Sequence, residues 1–205
     1  MKLTEWNPSP LSAVTQSCLT GVSSAPLRCK CAQRWECEEC RAYWVGKRAR
    51  TSERWLSERI GRDGRTWFGM LTVRTGRNWY RETEELFRRW RAIGQLRSKD
   101  KRRKLQKTGL VGIRCGLAAL HLLNRAGVWA PHLHCVVISK PGTGRSSIQD
   151  AWTDQGDGFA DIEPAESLGA VVRYTIAGNL PTNAEDRRLV AQSLYGVRTV
   201  RRIGK

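Results

Sequence analysis

Pro131-His132-Leu133-His134-Cys135-Val136-Val137-Ile138 is a short apolar run carrying two imidazoles two positions apart. Successive side chains of an extended strand alternate between faces. His132 and His134 therefore project to one side, and Leu133 and Cys135 to the other. The remaining histidine, His121, lies upstream in a second apolar run, Leu117-Ala118-Ala119-Leu120-His121-Leu122-Leu123. An antiparallel hairpin turning near Ala126, Gly127 and Val128 puts the midpoint between His121 and the later pair at that turn, so all three rings converge. Because both faces of the histidine strand are otherwise apolar, it is expected at the centre of its sheet.

Working outward, Ala42, Val45, Ala49, Leu56 and Ile60, mixed with Trp44, Trp55 and basic residues, predict one helix or two short ones from Arg41 to Arg59, ending at Gly61. The turn Arg62-Asp63-Gly64-Arg65 opens a strand from Thr66 to Arg74, rich in residues that suit a pleated, buried surface (Trp67, Phe68, Met70, Leu71, Val73). Asn78 can cap a helix in which Trp79, Thr83, Leu86, Trp90 and Ile93 recur at helical spacing, with glutamates early and arginines late. A basic run, Lys99 to Lys104, leads into a strand from Leu110 to Leu122. The histidine strand and a Pro-Gly loop at 140–144 come next, then helices from Ala165 to Ala177 and from Ala184 to Tyr195. The expected class is α/β (α+β): an antiparallel sheet flanked by helices, preceded by a small cysteine-rich element. Residues 1–27, rich in Ser, Thr and Pro, read as a flexible arm, 28–61 as a cysteine-rich zinc-binding helical element, and 62–205 as the main domain.

Thirty-six Lys and Arg face nineteen Asp and Glu, a formal net charge of +17. A surplus of that size favours a polyanion, since each neutralised phosphate releases counterions. Nucleic acid is the first choice. The sequence shows neither a bilayer-spanning apolar stretch nor a secretory signal, so no membrane partner and a cytoplasmic location are expected. Of seven cysteines, Cys29, Cys31, Cys37 and Cys40 form a C-x-C-x5-C-x2-C cluster with the number and type of ligands for tetrahedral, structural Zn²⁺; unligated thiols are the alternative. Arg28, Lys30, Arg34 and Arg41 surround it, which suits a DNA-contacting knuckle. Cys115 and Cys135 read as small buried hydrophobes.

A divalent ion held by His121, His132 and His134 with open positions could polarise a phosphodiester. The companion nucleophile is expected at Tyr174, within Ala170-Val171-Val172-Arg173-Tyr174-Thr175-Ile176-Ala177, against the plainer reading of a packing tyrosine. Trp35, Trp44 and Trp129 are placed to stack on single-stranded bases. Lys101, Arg102 and Arg103 read either as a backbone contact or as a solvated loop.

Three ordered blocks, Phe68-Gly69-Met70-Leu71-Thr72-Val73, Trp129-Ala130-Pro131-His132-Leu133-His134 and Arg173-Tyr174, resemble the three motifs of HUH endonucleases. Within that superfamily the chain is most similar to rolling-circle replication initiators of small plasmids and single-stranded DNA phages. Leu71 and Thr72 match the Leu-Thr pair that ends the first motif, and His132 and His134 match the metal-binding pair of the second. His121 stands where many relatives carry a glutamate ligand. Against the phage pattern Tyr-x-x-Lys-Tyr, Ala170 replaces the first tyrosine, Arg173 the lysine, and Tyr174 matches the second tyrosine, which implies a single-tyrosine enzyme. The resemblance implies Mg²⁺ or Mn²⁺ on the three histidines and attack by Tyr174 on a phosphate of single-stranded origin DNA. The products are a 5′-phosphotyrosyl link and a 3′-hydroxyl, with Arg173 stabilising the developing charge. DNA contacts are expected from Thr72, Arg74, Lys101, Arg102, Arg103 and Trp129, with host replication proteins as further partners. An HUH transposase or relaxase, and a non-catalytic zinc-dependent DNA-binding protein, are the alternatives.

Overall fold

A computed structural model describes residues 37–73, 78–94, 112–125, 128–178, 184–194 and 197–204. Helix α1 (Glu38–Ile60) precedes strand β1 (Arg65–Val73) and helix α2 (Trp79–Gly94). The long hairpin of β2 (Ile113–Arg125) and β3 (Val128–Ser139) follows, then α3 (Arg145–Thr153), β4 (Gly158–Pro164), α4 (Leu168–Ala177), α5 (Ala184–Ser193) and β5 (Val200–Ile203). The strands form one antiparallel sheet in the order β4-β1-β3-β2-β5, which puts the histidine strand in the middle, as expected. The fold is α+β. Among the described residues no helix is long and apolar enough to cross a membrane.

The two-residue period of the strands divides their side chains between two cores. Leu133, Cys135 and Val137 of β3, with Leu71 of β1 and Leu120 of β2, pack under Leu86, Phe87 and Trp90 of α2 and Ile148 and Trp152 of α3. Val136 and Ile138, with Leu117 and Ala119 of β2, pack on the opposite face under Ala49 and Leu56 of α1 and Val172 and Ile176 of α4. Each fully buried Leu or Ile contributes about 1.5–3 kcal/mol relative to exposure. Cys115 and Cys135 are buried in these layers, and burial pushes their thiols up to about 11 and about 12, so both behave as small hydrophobes. Trp44, expected to face DNA, instead packs against the second core.

Several boundaries follow the predicted pattern. Helix α1 is continuous, and Asn78 caps α2 by accepting from the backbone N–H groups of Tyr80 (3.1 Å) and Arg81 (3.2 Å). Others differ. The helix expected from Ala165 starts at Leu168, because Ser167 caps it, its hydroxyl accepting from the Ala170 N–H at 3.3 Å. Strand β2 runs later than expected and reaches Arg125. Three elements fall where none was read. Helix α3 buries Ile148, Ala151 and Trp152 at helical spacing, and β4 alternates exposed Phe159, Asp161 and Glu163 with buried Ala160 and Ile162. Strand β5 forms within the stretch read as a basic ending. Close pairing of β1 with β4 requires a glycine at 69, where a Cβ would lie 2.1 Å from the carbonyl oxygen of Asp161.

Candidate metal centre

The β2–β3 hairpin sets the register His121↔His132, with Ala119 opposite His134, so His134 lies diagonally across from His121 on the same face. The three rings meet. Centroid separations are 4.0 Å for His121–His134, where the rings stack, 5.1 Å for His132–His134 and 5.6 Å for His121–His132. One nitrogen from each ring lies within 4.8 Å of the other two, and no residue of the group exceeds 7 % exposure.

Hydrogen bonds define which nitrogen is offered. The carbonyl of Thr175 can only accept, so His121 donates through Nε2 at 2.8 Å and keeps its lone pair on Nδ1. His132 likewise donates from Nδ1 to the Ala130 carbonyl at 3.2 Å, which puts its lone pair on Nε2. A backbone carbonyl accepting from the other ring nitrogen is how metal-binding imidazoles are usually oriented. The Nδ1 atoms of His121 and His134 are buried with no hydrogen-bond partner among the described residues. Such an atom costs about 1–3 kcal/mol of lost solvation unless something ligates it. A divalent cation fits this donor set.

Electrostatics agree. Burial pushes His121 down to about 4, although its bond to Thr175 opposes the shift, and the positive forms of His132 and Arg41 push it the same way as burial. His134 falls to about 3, again through burial first and its two histidine neighbours second. Both rings are neutral at pH 7, the form that binds metal without displacing a proton.

Tyr174 stands over this cluster. Its ring lies 5.2 Å from that of His134, 6.3 Å from that of His121 and edge-on to Phe68 at 5.5 Å, yet the residue is 48 % exposed. Helix α4 is fixed from both ends and from below. Ser167 caps its start, Val172 and Ile176 anchor it in the core, and His121 holds the Thr175 carbonyl. At its C-terminus Gly178 takes a positive φ of 65°, which favours glycine, and Arg41 donates to the carbonyls of Ala177 and, at 2.8 Å, Gly178. A cation at these unsatisfied carbonyls complements the helix dipole. Arg41 was expected at a DNA-contacting knuckle, but it clasps the helix that carries Tyr174, and burial pulls its pKa down, with help from Arg187.

The other expected site residues are placed less centrally. Arg173 is exposed and, one residue along a helix, points about 100° away from Tyr174. Thr72 is half-buried at the β1–β4 edge, its hydroxyl accepting from the Phe159 N–H at 3.2 Å. Cys37 occupies the N-cap position of α1 without a side-chain capping bond and Cys40 lies in the first turn, both half-buried. Cys29, Cys31, Trp35, Arg74, Lys101, Arg102 and Arg103 lie outside the described residues, as does the side chain of Trp129, whose backbone pairs with Asn124. Sequence reasoning missed Phe68, Thr175 and Arg41 as parts of the site. Strand parity with Met70 and Thr72 could have flagged Phe68, whereas nothing local marks Arg41. Comparison with family models, with curated proteins and with solved structures returned no match, so the chemistry of these residues carries the functional reading.

Proposed function

We propose that the protein is a metal-dependent DNA strand transferase that nicks and rejoins single-stranded origin DNA through Tyr174, as a rolling-circle replication initiator would. One observation carries this reading: three buried imidazoles, two of which (His121 and His134) are neutral at pH 7 and keep a ring nitrogen with no hydrogen-bond partner among the described residues, lie beneath a half-exposed tyrosine, in a chain of net charge +17. A bound divalent ion supplies charge neutralisation and polarisation at a phosphodiester. His121, His132 and His134 would hold it. With three imidazoles and no carboxylate in the cluster, Mn²⁺ suits the donor set better than Mg²⁺, which prefers oxygen ligands.

In this mechanism the phenol oxygen of Tyr174 loses its proton and attacks phosphorus, and the P–O bond to the 3′ oxygen breaks. The phosphoryl group stays on Tyr174, and the leaving oxygen takes up a proton as a 3′-hydroxyl. Because the covalent bond conserves the phosphodiester energy, attack by a 3′-hydroxyl reverses the step without ATP. The T-shaped contact with Phe68 and the anchored helix orient the phenol, a positioning contribution. Half-exposure of Tyr174 leaves room for a polymer. Arg173, exposed but turned about 100° round the helix from Tyr174, would reach the non-bridging oxygens only by folding its long side chain back.

The test is Tyr174→Phe. Incubation with Mn²⁺ and single-stranded circles should give a covalent protein–DNA adduct with the parent chain and none with the variant, while DNA binding is retained. An adduct that persists in Tyr174→Phe rules this nucleophile out.

A further inference from the structure

Across the sheet from the histidines, α2 and the segment entering β5 enclose a groove of about 550 Å³ whose lining includes Arg81, Arg88, Arg91, Arg198 and Arg201. Two carboxylates, Glu84 and Glu85, also reach it. Glu85 is already occupied: Arg88 engages it through two bonds (2.5 and 2.6 Å) and Arg89 through a third (2.7 Å). That leaves Glu84 against four arginines, and among the described residues none of Arg81, Arg91, Arg198 and Arg201 forms an ion pair.

Arg201 is the most informative member. Its guanidinium lies 4.5 Å above the ring of Phe87, and its Nε is buried with no hydrogen-bond partner among the described residues. Burial lowers its pKa, and the charges of Arg91 and Arg198 lower it further. Its chain neighbour Arg202 makes a useful contrast. On the other face Arg202 bonds Ser52 at 3.1 Å and covers Trp55 at 4.8 Å, a packing role that Arg201 fills only in part. Positive charge gathered with a single spare carboxylate against it raises the energy of the isolated protein, and an anion relieves it.

The aromatic lining narrows the anion. Tyr80 is 51 % exposed at the groove and held edge-on by Trp79 at 6.1 Å. Cations interleaved with an accessible aromatic face suit single-stranded nucleic acid, whose phosphates and unpaired bases are both available. A duplex keeps its base faces stacked inside, so Tyr80 would have nothing to stack upon.

We infer that this groove is a second nucleic-acid site, where Arg91, Arg198 and Arg201 grip the backbone of a single strand and Tyr80 stacks on one of its bases. It lies on the opposite side of the sheet from Tyr174, so it holds a stretch of strand away from the bond to be cut. The inference takes its class of partner from the proposed function but needs neither the metal nor the nucleophile.

Binding is measured by fluorescence anisotropy, on full-length protein carrying Tyr174→Phe and in excess EDTA, with labelled oligothymidylate and a hairpin duplex as probes. Failure of the cutting mechanism would leave this measurement untouched. Arg91→Ala combined with Arg198→Ala should weaken oligothymidylate binding by about tenfold or more and flatten the log–log salt dependence by about 1.4. Tyr80→Ala should weaken it by about tenfold while duplex affinity stays the same. All three positions are exposed, so the fold is not at risk. Unchanged oligothymidylate affinity in the arginine pair overturns the site. A silent Tyr80→Ala, with duplex binding falling as far as single-strand binding in the arginine pair, overturns its assignment to single strands.

Discussion

Two buried polar clusters sit on opposite faces of the same sheet and are built in opposite ways. Arg89, 4 % exposed, is satisfied within the chain: its guanidinium bonds the Glu85 carboxylate at 2.7 Å and the Gly156 carbonyl at 2.9 Å. The histidine cluster is equally buried, yet two of its ring nitrogens have no partner among the described residues. A buried group with every bond made inside the protein ties α2 to the loop before β4. A buried group left incomplete at matching lone pairs is arranged for something from outside. Burial alone therefore does not separate structure from function, whereas satisfaction does.

Substitution at either cluster should give a different outcome. Arg89→Met should be the costliest change, destabilising the fold by about 3 kcal/mol in urea denaturation, because it strands part of the Glu85 charge and the Gly156 carbonyl. Metal binding should be unchanged. A loss of metal affinity together with stability would show that the two faces are not independent.

Acid should separate the clusters by pH window. The metal-free His121 and His134 have folded pKa values of about 4 and about 3, below the ordinary 6.5, so the unfolded chain binds more protons as pH falls. Their stability is complete above pH 6.5 and is lost on the way down towards 4 and 3, at up to about 1.4 kcal/mol per pH unit for each ring. Glu85, held down to about 2 by its arginines, acts in a lower window: its contribution is present above 4.5 and lost towards 2. Denaturation midpoints of metal-free protein should therefore fall between pH 6.5 and 5, and saturating Mn²⁺ should move that fall to lower pH. A midpoint constant across that range would mean that the rings are not buried as neutral ligands.

His134→Leu should give the smallest effect on stability, within about 1.5 kcal/mol for the metal-free protein, since an orphaned polar atom is exchanged for an apolar one of similar size. A loss as large as that of Arg89→Met would place His134 among the structural groups and remove it from the metal site.

The histidine hairpin was legible because strand parity and the midpoint of a hairpin depend on local geometry alone. The register His121↔His132 follows from the expected hairpin midpoint near Ala126, Gly127 and Val128 without knowledge of any other element. The central position of β3 was legible for a similar reason, in the apolar character of both its faces. Between 145 and 164 the signal was present but short. Ile148, Ala151 and Trp152 make barely two turns of helix, and β4 is an edge strand with acidic residues on its open side. In β5 the adjacent pair Arg201 and Arg202 masks the alternation. Arg41 bonding carbonyls 136 and 137 residues away, and Arg91 meeting Arg198 and Arg201 in one groove, are products of helix packing and have no signature along the chain.

If His121, His132 and His134 hold one divalent ion beneath Tyr174, electron paramagnetic resonance of Mn²⁺ titrated into the metal-free protein will show it. One ion per chain with nitrogen hyperfine coupling, both lost in His134→Leu but retained in Tyr174→Phe, is the expected result. Binding that shows no nitrogen coupling, or that survives His134→Leu undiminished, would contradict it.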